Sequence, residues 1–373
     1  MKIVLVNHQD TMNINAFSGA PYFMSRAIKS EFEEVIEYND FESTENIATE
    51  SMKGNIKSAL ETIGQNLTKF LHTGNIDADY VICQGGNSSV PFYNFKIPLV
   101  YWHDSTWSSY LHGYDNETSF NNFKQKYESL YLWDKMAIDT AKLVVFSSHY
   151  VAEACIRNYK IKTDKVEVVP FGANLAIPPS SEILDTSLKQ KLENTVINLT
   201  FIGKDWERKG LSAAYELTRK LNAAGIKAVL NVIGGYPKSI ANLPYLNLYG
   251  FLDKSNNEQF NIYKDILNRT HFIVHPALSE PFGIALCEAN AYGIPIIGTN
   301  LEGLKTIVIN GKNGYLFNRD NFAKEAALKI QEISLSMEAK YKPLAKYSID
   351  EFNRRLNWSA NTKILKKILA DRL

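Results

Sequence analysis

The sequence predicts an α/β protein made of two doubly wound parallel sheets, and three observations predict it. Short β-branched runs alternate with amphipathic stretches along the whole chain, the pattern of repeated βαβ units. Several of those runs are apolar without alternation, as in strands covered by helices on both faces. The length, 373 residues, is too great for one ordinary core and fits two domains of about 150–200 residues.

The elements follow in order. KIVLV (2–6) is the first strand. Only six residues precede the polar turn NHQD, so the reading is a strand and not a signal peptide. The stretch SGAPYFMSRAIKSEF (18–32) reads as the first helix. Strands are expected at YVIC (80–83), PLVYW (98–102), KLVVFS (142–147) and VEVVPF (166–171). FGANLAIPPSSEILD (171–185), with its glycine, two prolines and two serines, lacks periodicity and marks the boundary between domains. A second series then begins with INLTFIG (197–203), the helix GLSAAYELTRKLNAAG stopping at Gly225, AVLNVIG (228–234), LNLYG (246–250), HFIVHP (271–276) and IPIIGT (294–299). The tail DEFNRRLNWSANTKILKKILADRL (350–373) reads as helical and basic. The expected division is 1–178, 179–352 and a terminal helix over 353–373.

Composition narrows the class. The chain is 45% hydrophobic and 22% charged, ordinary for a soluble globular protein. Cys83, Cys155 and Cys287 stand far apart without metal spacing, which reads as reduced buried thiols in a cytoplasmic protein. No stretch approaches about 18 consecutive apolar residues, so no membrane span is expected. Residues 1–180 carry 15 Lys and Arg against 21 Asp and Glu, a balance of −6, whereas residues 181–373 carry 26 against 19, a balance of +7. A basic second half suits an anionic small ligand, and it does not by itself imply a nucleic acid. Lys363, Lys366 and Lys367 on the last helix read as a solvated face, with a weak peripheral contact to an anionic membrane as the alternative.

Two loops at expected strand ends carry chemistry. In FIGKDWERKG (201–210) a strand ends at Gly203, and Lys204, Arg208 and Lys209 precede Gly210 and a helix. Three cations beside a helix N-terminus suit a diphosphate. The spacing is not that of a P-loop. In HPALSEPFGIALCEANAYG (275–293), Glu280 stands before a turn and Glu288 inside the following helix. Phe282, Gly283 and Ile284 are expected to offer backbone N–H groups at the helix start. The Glu288 carboxylate, leaning back toward the N-terminus, can return to a ligand held there, since a carboxylate accepting from two hydroxyls holds a ribose diol. Each loop also has a bland reading, as solvated charge or chance glutamates.

In the first half, Gly19 in Ser18-Gly19-Ala20 sits just before the first helix, with no dinucleotide fingerprint around it. In PLVYWHDSTWSSYLHGY (98–114), His103 and Asp104 follow a strand, at the end where ligands bind. Tyr101, Trp102, Trp107, Tyr110 and Tyr114 are expected to crowd around them, and aromatic faces suit sugars. A core aromatic cluster with a satisfied histidine is the bland reading.

The run H-P-x-x-x-E-P-F-G-I-x-x-x-E-A-x-A-x-G-x-P-I-I-G-T, followed by E-G-L-K and N-G-x-x-G-Y-L-F, resembles the donor-site signature of glycosyltransferase family 4. Those are retaining enzymes of the GT-B fold: two Rossmann-like domains facing across a cleft, with a C-terminal helix crossing back to the first domain. VVPFGANL resembles the family's pre-linker turn, and FIGKDWERKG its phosphate loop. An Arg usual in that loop is replaced here by Lys204, which keeps the charge and loses the bidentate fork. The N-terminal match is weaker.

The resemblance implies roles. Glu288 holds the ribose, Glu280 faces the donor sugar, and Lys204 or Arg208, with Lys209, neutralises the diphosphate. The base meets backbone near Gly250 and Phe251. Gly19 approaches the donor phosphate, His103 contacts the transferred sugar, and Asp104 and Trp107 lie on the acceptor side. Glu280, His103 and Lys209 are the catalytic candidates. No metal or cofactor is implied, since the cations take a metal's electrostatic part. The implied activity is transfer of a hexose-type sugar from a nucleotide diphosphate sugar to a saccharide or lipid-linked acceptor. Its expected setting is polysaccharide or cell-envelope biosynthesis, at the cytoplasmic side of the membrane. A GT-B nucleotide-sugar epimerase and a non-catalytic sugar-nucleotide or glycan-binding protein stand as alternatives.

Overall fold

The structure is a computed structural model and describes residues 1–7, 10–39, 56–84, 90–107 and 117–372. The chain forms two compact units, one of Met1–Phe171 with Asn361–Leu373, the other of Gly172–Ala360.

In the first unit the strands are β1 (Lys2–Asn7), β2 (Glu34–Asn39), β3 (Tyr80–Gln84), β4 (Leu99–His103), β5 (Leu143–Phe146) and β6 (Val166–Val168). They form one sheet in the order β2-β1-β3-β4-β5-β6, and every pairing is parallel. Helices α1 (Ala20–Glu31), α2 (Ile56–Thr73), α3 (Glu117–Lys126), α4 (Glu128–Thr140) and α5 (His149–Tyr159) connect them. Val4, Val81, Tyr101, Val144 and Phe146 from the strands meet Leu67, Leu71, Ile138 and Tyr159 from the helices in one core.

In the second unit the helices are α6 (Ser181–Glu193), α7 (Leu211–Ala223), α8 (Asn257–Arg269), α9 (Ile284–Ala291), α10 (Phe322–Ser334) and α11 (Lys342–Arg355). The strands are β7 (Ile197–Gly203), β8 (Ala228–Gly234), β9 (Leu246–Gly250), β10 (Phe272–His275), β11 (Ile296–Thr299) and β12 (Gly314–Phe317). Their order is β12-β11-β10-β7-β8-β9, again all parallel. Read from β9, this is the strand order of a dinucleotide-binding fold, with the reversal between β7 and β10. Leu199, Phe201, Leu230, Val274 and Ile297 pack against Leu217, Ile330 and Tyr341.

The expected fold class is borne out, and each of the ten expected strands is present. Two strands were not read from the sequence: β2 and β12, both at sheet edges. An edge strand has a neighbour on one side only, so it needs less apolar side chain. β2 reads EVIEYN and is only partly buried. β12 begins at Gly314, whose missing side chain lets the backbone close on β11, since a Cβ there would lie 2.3 Å from the Ile296 carbonyl oxygen.

The tail is not one continuous helix. It breaks at Leu356 and Asn357 between α11 and α12 (Trp358–Asp371). The Asn357 side chain accepts from the Ala360 N–H (2.9 Å) and so starts α12. The end of α12 packs in the first unit, where the Tyr80 hydroxyl donates to the Leu369 carbonyl (3.0 Å) and Lys366 donates to the Glu31 carbonyl (2.8 Å). Lys366 is thereby withdrawn from the expected basic face, whereas Lys363 and Lys367 stay exposed. No helix among the described residues is long and apolar enough to cross a membrane. Cys83, Cys155 and Cys287 are buried thiols.

One core group is costly. Lys191 on α6 is 2% exposed, and the one bond found for its ammonium is to the Tyr292 carbonyl (3.3 Å). Burial pulls its value down from 10.5 to about 7. Between those two values the unfolded chain holds a proton that the folded chain lacks, so stability rises with pH through that window. Wild-type stability should therefore climb from about pH 7 toward pH 10.5, by at most about 1.4 kcal/mol per pH unit. Lys191→Met should be more stable than wild type at neutral pH and show no such climb. Urea melts across the window measure this, and parallel curves for both proteins would refute it.

Candidate functional site

Where an open parallel sheet reverses its strand order, the loops leaving the two central strands separate to opposite faces and open a crevice. In the second unit those loops are 204–210, between β7 and α7, and 276–283, between β10 and α9. They are the two loops singled out from the sequence, and they are fastened together. The Leu278 N–H donates to the Arg208 carbonyl (2.7 Å), and the Arg208 guanidinium donates to the Ser279 carbonyl (2.9 Å). Gly210 (φ +81°) lies so close to Pro276 that a Cβ would fall 2.0 Å from its carbonyl oxygen. Gly303 of the E-G-L-K segment approaches the Glu280 carbonyl equally closely.

Across this junction Lys209 pairs with the Glu280 carboxylate. The side chains are 16% and 8% exposed, so the charges attract through protein more than through water. Glu280 Oε2 also accepts from His275 Nε2 (2.9 Å), the last residue of β10. Burial alone would raise the Glu280 carboxyl, but Lys209 and the His275 hydrogen bond outweigh it and hold the group well below the usual carboxylate range. Burial pulls the imidazole of His275 down, against the opposing effect of Glu280, and keeps it neutral.

Glu288 is 2% exposed inside α9, whose residues from Leu286 to Ala291 are all buried. Its carboxylate accepts from Lys254 (2.5 Å) and from the Tyr263 hydroxyl on α8. Burial, and then the neighbouring Glu288, push the Tyr263 phenol up, so it acts as a neutral donor. The Lys254 ammonium also lies 4.9 Å from the Tyr263 ring and 3.5 Å from the Asn174 carbonyl. Lys204 is exposed at the end of β7, and its ammonium stands 4.4 Å over the ring of Phe251 just beyond β9. Arg208 is partly committed to Asp205 (2.9 Å). Phe282 is buried, Gly283 (φ +105°) precedes α9, and Ile284 is its first residue.

Two other helices in this unit, α6 and α8, begin with a capping side chain: Ser180 accepts from the Ile183 N–H and Asn256 from the Gln259 N–H. α7 and α9 begin after left-handed glycines with no side-chain cap. A glycine leaves the helix end open, whereas a capping oxygen fills it.

The first unit brings together part of the other expected cluster. The sheet order reverses between β1 and β3. Gly19 (φ +89°) opens α1 in the loop after β1. His103 ends β4 with its ring stacked on Tyr101 (5.5 Å). His103 Nδ1 lies 2.6 Å from the Ser105 carbonyl and 3.1 Å from the Ser105 backbone N, so the following turn fixes the ring from that side. Asp104 is half-buried and accepts from the Ser105 hydroxyl (3.2 Å). Trp102 corrects the sequence reading. Side chains alternate along a strand, so Trp102 lies on the face opposite His103, fully buried, with its ring edge-on to Phe171. Tyr110 and Tyr114 lie outside the described residues. The Trp107 N–H donates to Asp134 (2.8 Å), a buried carboxylate on α4 that also accepts from the Tyr159 hydroxyl (2.6 Å).

Sequence reading missed His275, Lys254, Tyr263 and Asp134. His275 had a signal, standing five residues before Glu280 in the same run. The other three act from separate elements, and nothing local marks them.

Residues 185–350 match the family model of glycosyl transferases group 1, the broader group to which the resemblance read from the sequence points. The capsular polysaccharide biosynthesis glycosyltransferase CapM of Staphylococcus aureus is 27% identical over 56% of this chain and 56% of its own length. The chain spans about half the length of such curated relatives. Among solved structures, a sucrose-phosphate synthase of Thermosynechococcus elongatus matches 100% of this chain and 98% of its own, with a TM-score of 0.67 and 17% identity. The HepE protein of Anabaena in complex with UDP and glucose matches 99% of each chain, with a TM-score of 0.62 and 16% identity. The fold is therefore the GT-B fold of these proteins.

The close approach of the two loops can be tested apart from any ligand. Gly210 and Gly225 share a left-handed φ, +81° and +83°, but only Gly210 meets a neighbour. Gly225→Ala should cost about 1 kcal/mol for the conformation alone. Gly210→Ala should cost clearly more, about 2–4 kcal/mol, because the loops must also part. Equal losses in urea midpoint would show that the contact has no weight.

Proposed function

We propose that this chain is a glycosyltransferase, moving a hexose-type sugar from a nucleoside diphosphate donor to a hydroxyl of a saccharide or lipid-linked saccharide. The observation that carries this reading is the constellation at the strand-order reversal of the second unit. Two buried glutamates there, Glu280 and Glu288, stand on either side of the open start of α9, with Lys204, Arg208 and Lys209 on the neighbouring loop.

Glu288 takes the ribose diol, since a carboxylate already held at both oxygens is fixed in place for further hydrogen bonds. The base lies by Gly250 and Phe251. Lys209, with Lys204 or Arg208, meets the diphosphate and stabilises the charge that develops as it leaves. These cations supply that electrostatic help without a metal. Glu280 turns its free oxygen to the sugar. The acceptor oxygen bonds to the anomeric carbon as the bond to the diphosphate oxygen breaks. The acceptor's proton passes to the departing phosphate on the same face, so configuration is retained. In the first unit the same reading gives Gly19 to the donor phosphate, His103 to the transferred sugar, and Asp104 and Trp107 to the acceptor. The CapM name supports a setting in polysaccharide biosynthesis. A cytoplasmic location and a weak contact of Lys363 and Lys367 with an anionic membrane belong to the same reading.

Thermal shift against UDP, GDP, ADP, CMP and TDP without added metal tests the donor site. One nucleotide should raise the wild-type Tm by several degrees, as binding to the native state alone must, and raise that of Glu288→Ala much less. No shift with any of them would remove the donor reading and favour a glycan-binding protein. A sugar covalently trapped on Glu280 would overturn the same-face step.

A further inference from the structure

Glu280 is bonded unevenly. Oε2 accepts from both Lys209 Nζ and His275 Nε2. Oε1 has no hydrogen-bond partner among the described residues. Free rotation of a carboxylate would exchange the two oxygens, and two donors converging on one of them prevent it. The two donors differ in kind. Lys209 reaches Oε2 from a flexible stem on the loop before α7. His275 sits at the end of a central strand, paired in register with Gly298 of β11, its ring 2% exposed. Its placement is fixed by the sheet, and a ring with two torsions loses little freedom in holding a bond.

Charge makes the same distinction. The charged groups facing this pair are Lys209 and Arg208 from the loop before α7 and Glu280 itself. Both cations are also those expected to meet a diphosphate. When Lys209 turns to it, its hold on Glu280 weakens, and a neutral imidazole has no such competing attraction. It is the donor that stays.

We propose that His275 is the positioning residue for Glu280, holding Oε2 from the strand end so that Oε1 remains presented to the donor sugar. The proposal rests on the reading of Glu280 given above. It predicts that the imidazole acts through one N–H. Gln at 275 can place an amide N–H close to the position of Nε2, and Leu fills similar space without a donor.

The test measures nucleoside diphosphate release from UDP-glucose and from GDP-mannose by the full chain, with thermal shift by UDP and GDP alongside. His275→Leu should lower kcat about 10- to 100-fold, as loss of a hydrogen bond to a charged group does. KM and the nucleotide shift should stay near wild type, because Glu288 and the base contacts are untouched. His275→Gln should recover most of kcat. Three outcomes overturn the proposal: wild-type kcat in the Leu variant, equal loss in both variants, or loss of the nucleotide shift together with kcat. If the wild type neither shifts with nucleotide nor turns over, the donor reading itself fails and this inference falls with it. A wild type that shifts normally beside a Leu variant of normal kcat defeats the inference alone.

Discussion

The Lys209–Glu280 pair ties the second unit's functional geometry together. The partners come from loops that follow β7 and β10, strands separated in sequence by two full βαβ excursions. They meet only because the sheet reverses its order between those strands. A buried ion pair is a poor device for stability, since desolvating two charges costs about what their attraction returns. Two apolar residues would join these loops at less cost. What an apolar pair cannot do is hold a carboxylate ionised and fixed at the mouth of a strand-order reversal. The surroundings serve that end. His275 bonds the carboxylate from the strand side, and Arg208 closes the loop with the Ser279 carbonyl.

Glycine decides how near these parts can come. Gly210 against Pro276 and Gly303 against Glu280 bring backbones within the distance that any side chain would forbid. The same residue type leaves α7 and α9 without a side-chain cap, whereas α6 and α8 are capped by Ser180 and Asn256. α10 and α11 also start without a side-chain cap, so what sets α7 and α9 apart is the left-handed glycine that opens them beside the reversal.

Much of this was legible in the sequence. Central strands such as IVLV, LVVF and LTFIG are apolar on both faces and cannot be mistaken for loops. Glu280 and Glu288 stood out because they bracket a turn at an expected strand end, inside a run that resembles a known signature. What could not be read falls into two kinds. β2 carries two glutamates and an asparagine among its six residues, and β12 is four residues opening on a glycine, so neither shows a strand pattern. Lys254, Tyr263 and Asp134 hold functional groups from other elements, and only the folded chain brings them near. Trp102 failed for a third reason: proximity in sequence was read as proximity in space, and strand alternation put it on the opposite face from His103.

The basic balance of the second half suggested a field that draws in an anion, and the site qualifies that idea. Around the reversal, Lys209 is matched by Glu280, Arg208 by Asp205 and Lys254 by Glu288. Among these named groups Lys204 alone has no carboxylate partner, and it rests on the Phe251 ring. With Glu207 of the same loop counted, the local balance is close to zero, too little to steer a dianion strongly from a distance. On the proposed donor reading, recognition works by exchange at contact. A diphosphate would take cations already oriented by their carboxylates, and ribose hydroxyls would replace part of what Lys254 gives Glu288. Exchange of this kind costs little rearrangement, because every partner is held in place beforehand. It also discriminates. A ligand with phosphates but no diol would draw off the cations and leave Glu288 as it was, gaining only part of the interaction. One with a diol but no phosphates would compete with Lys254 and have nothing to offer it in return.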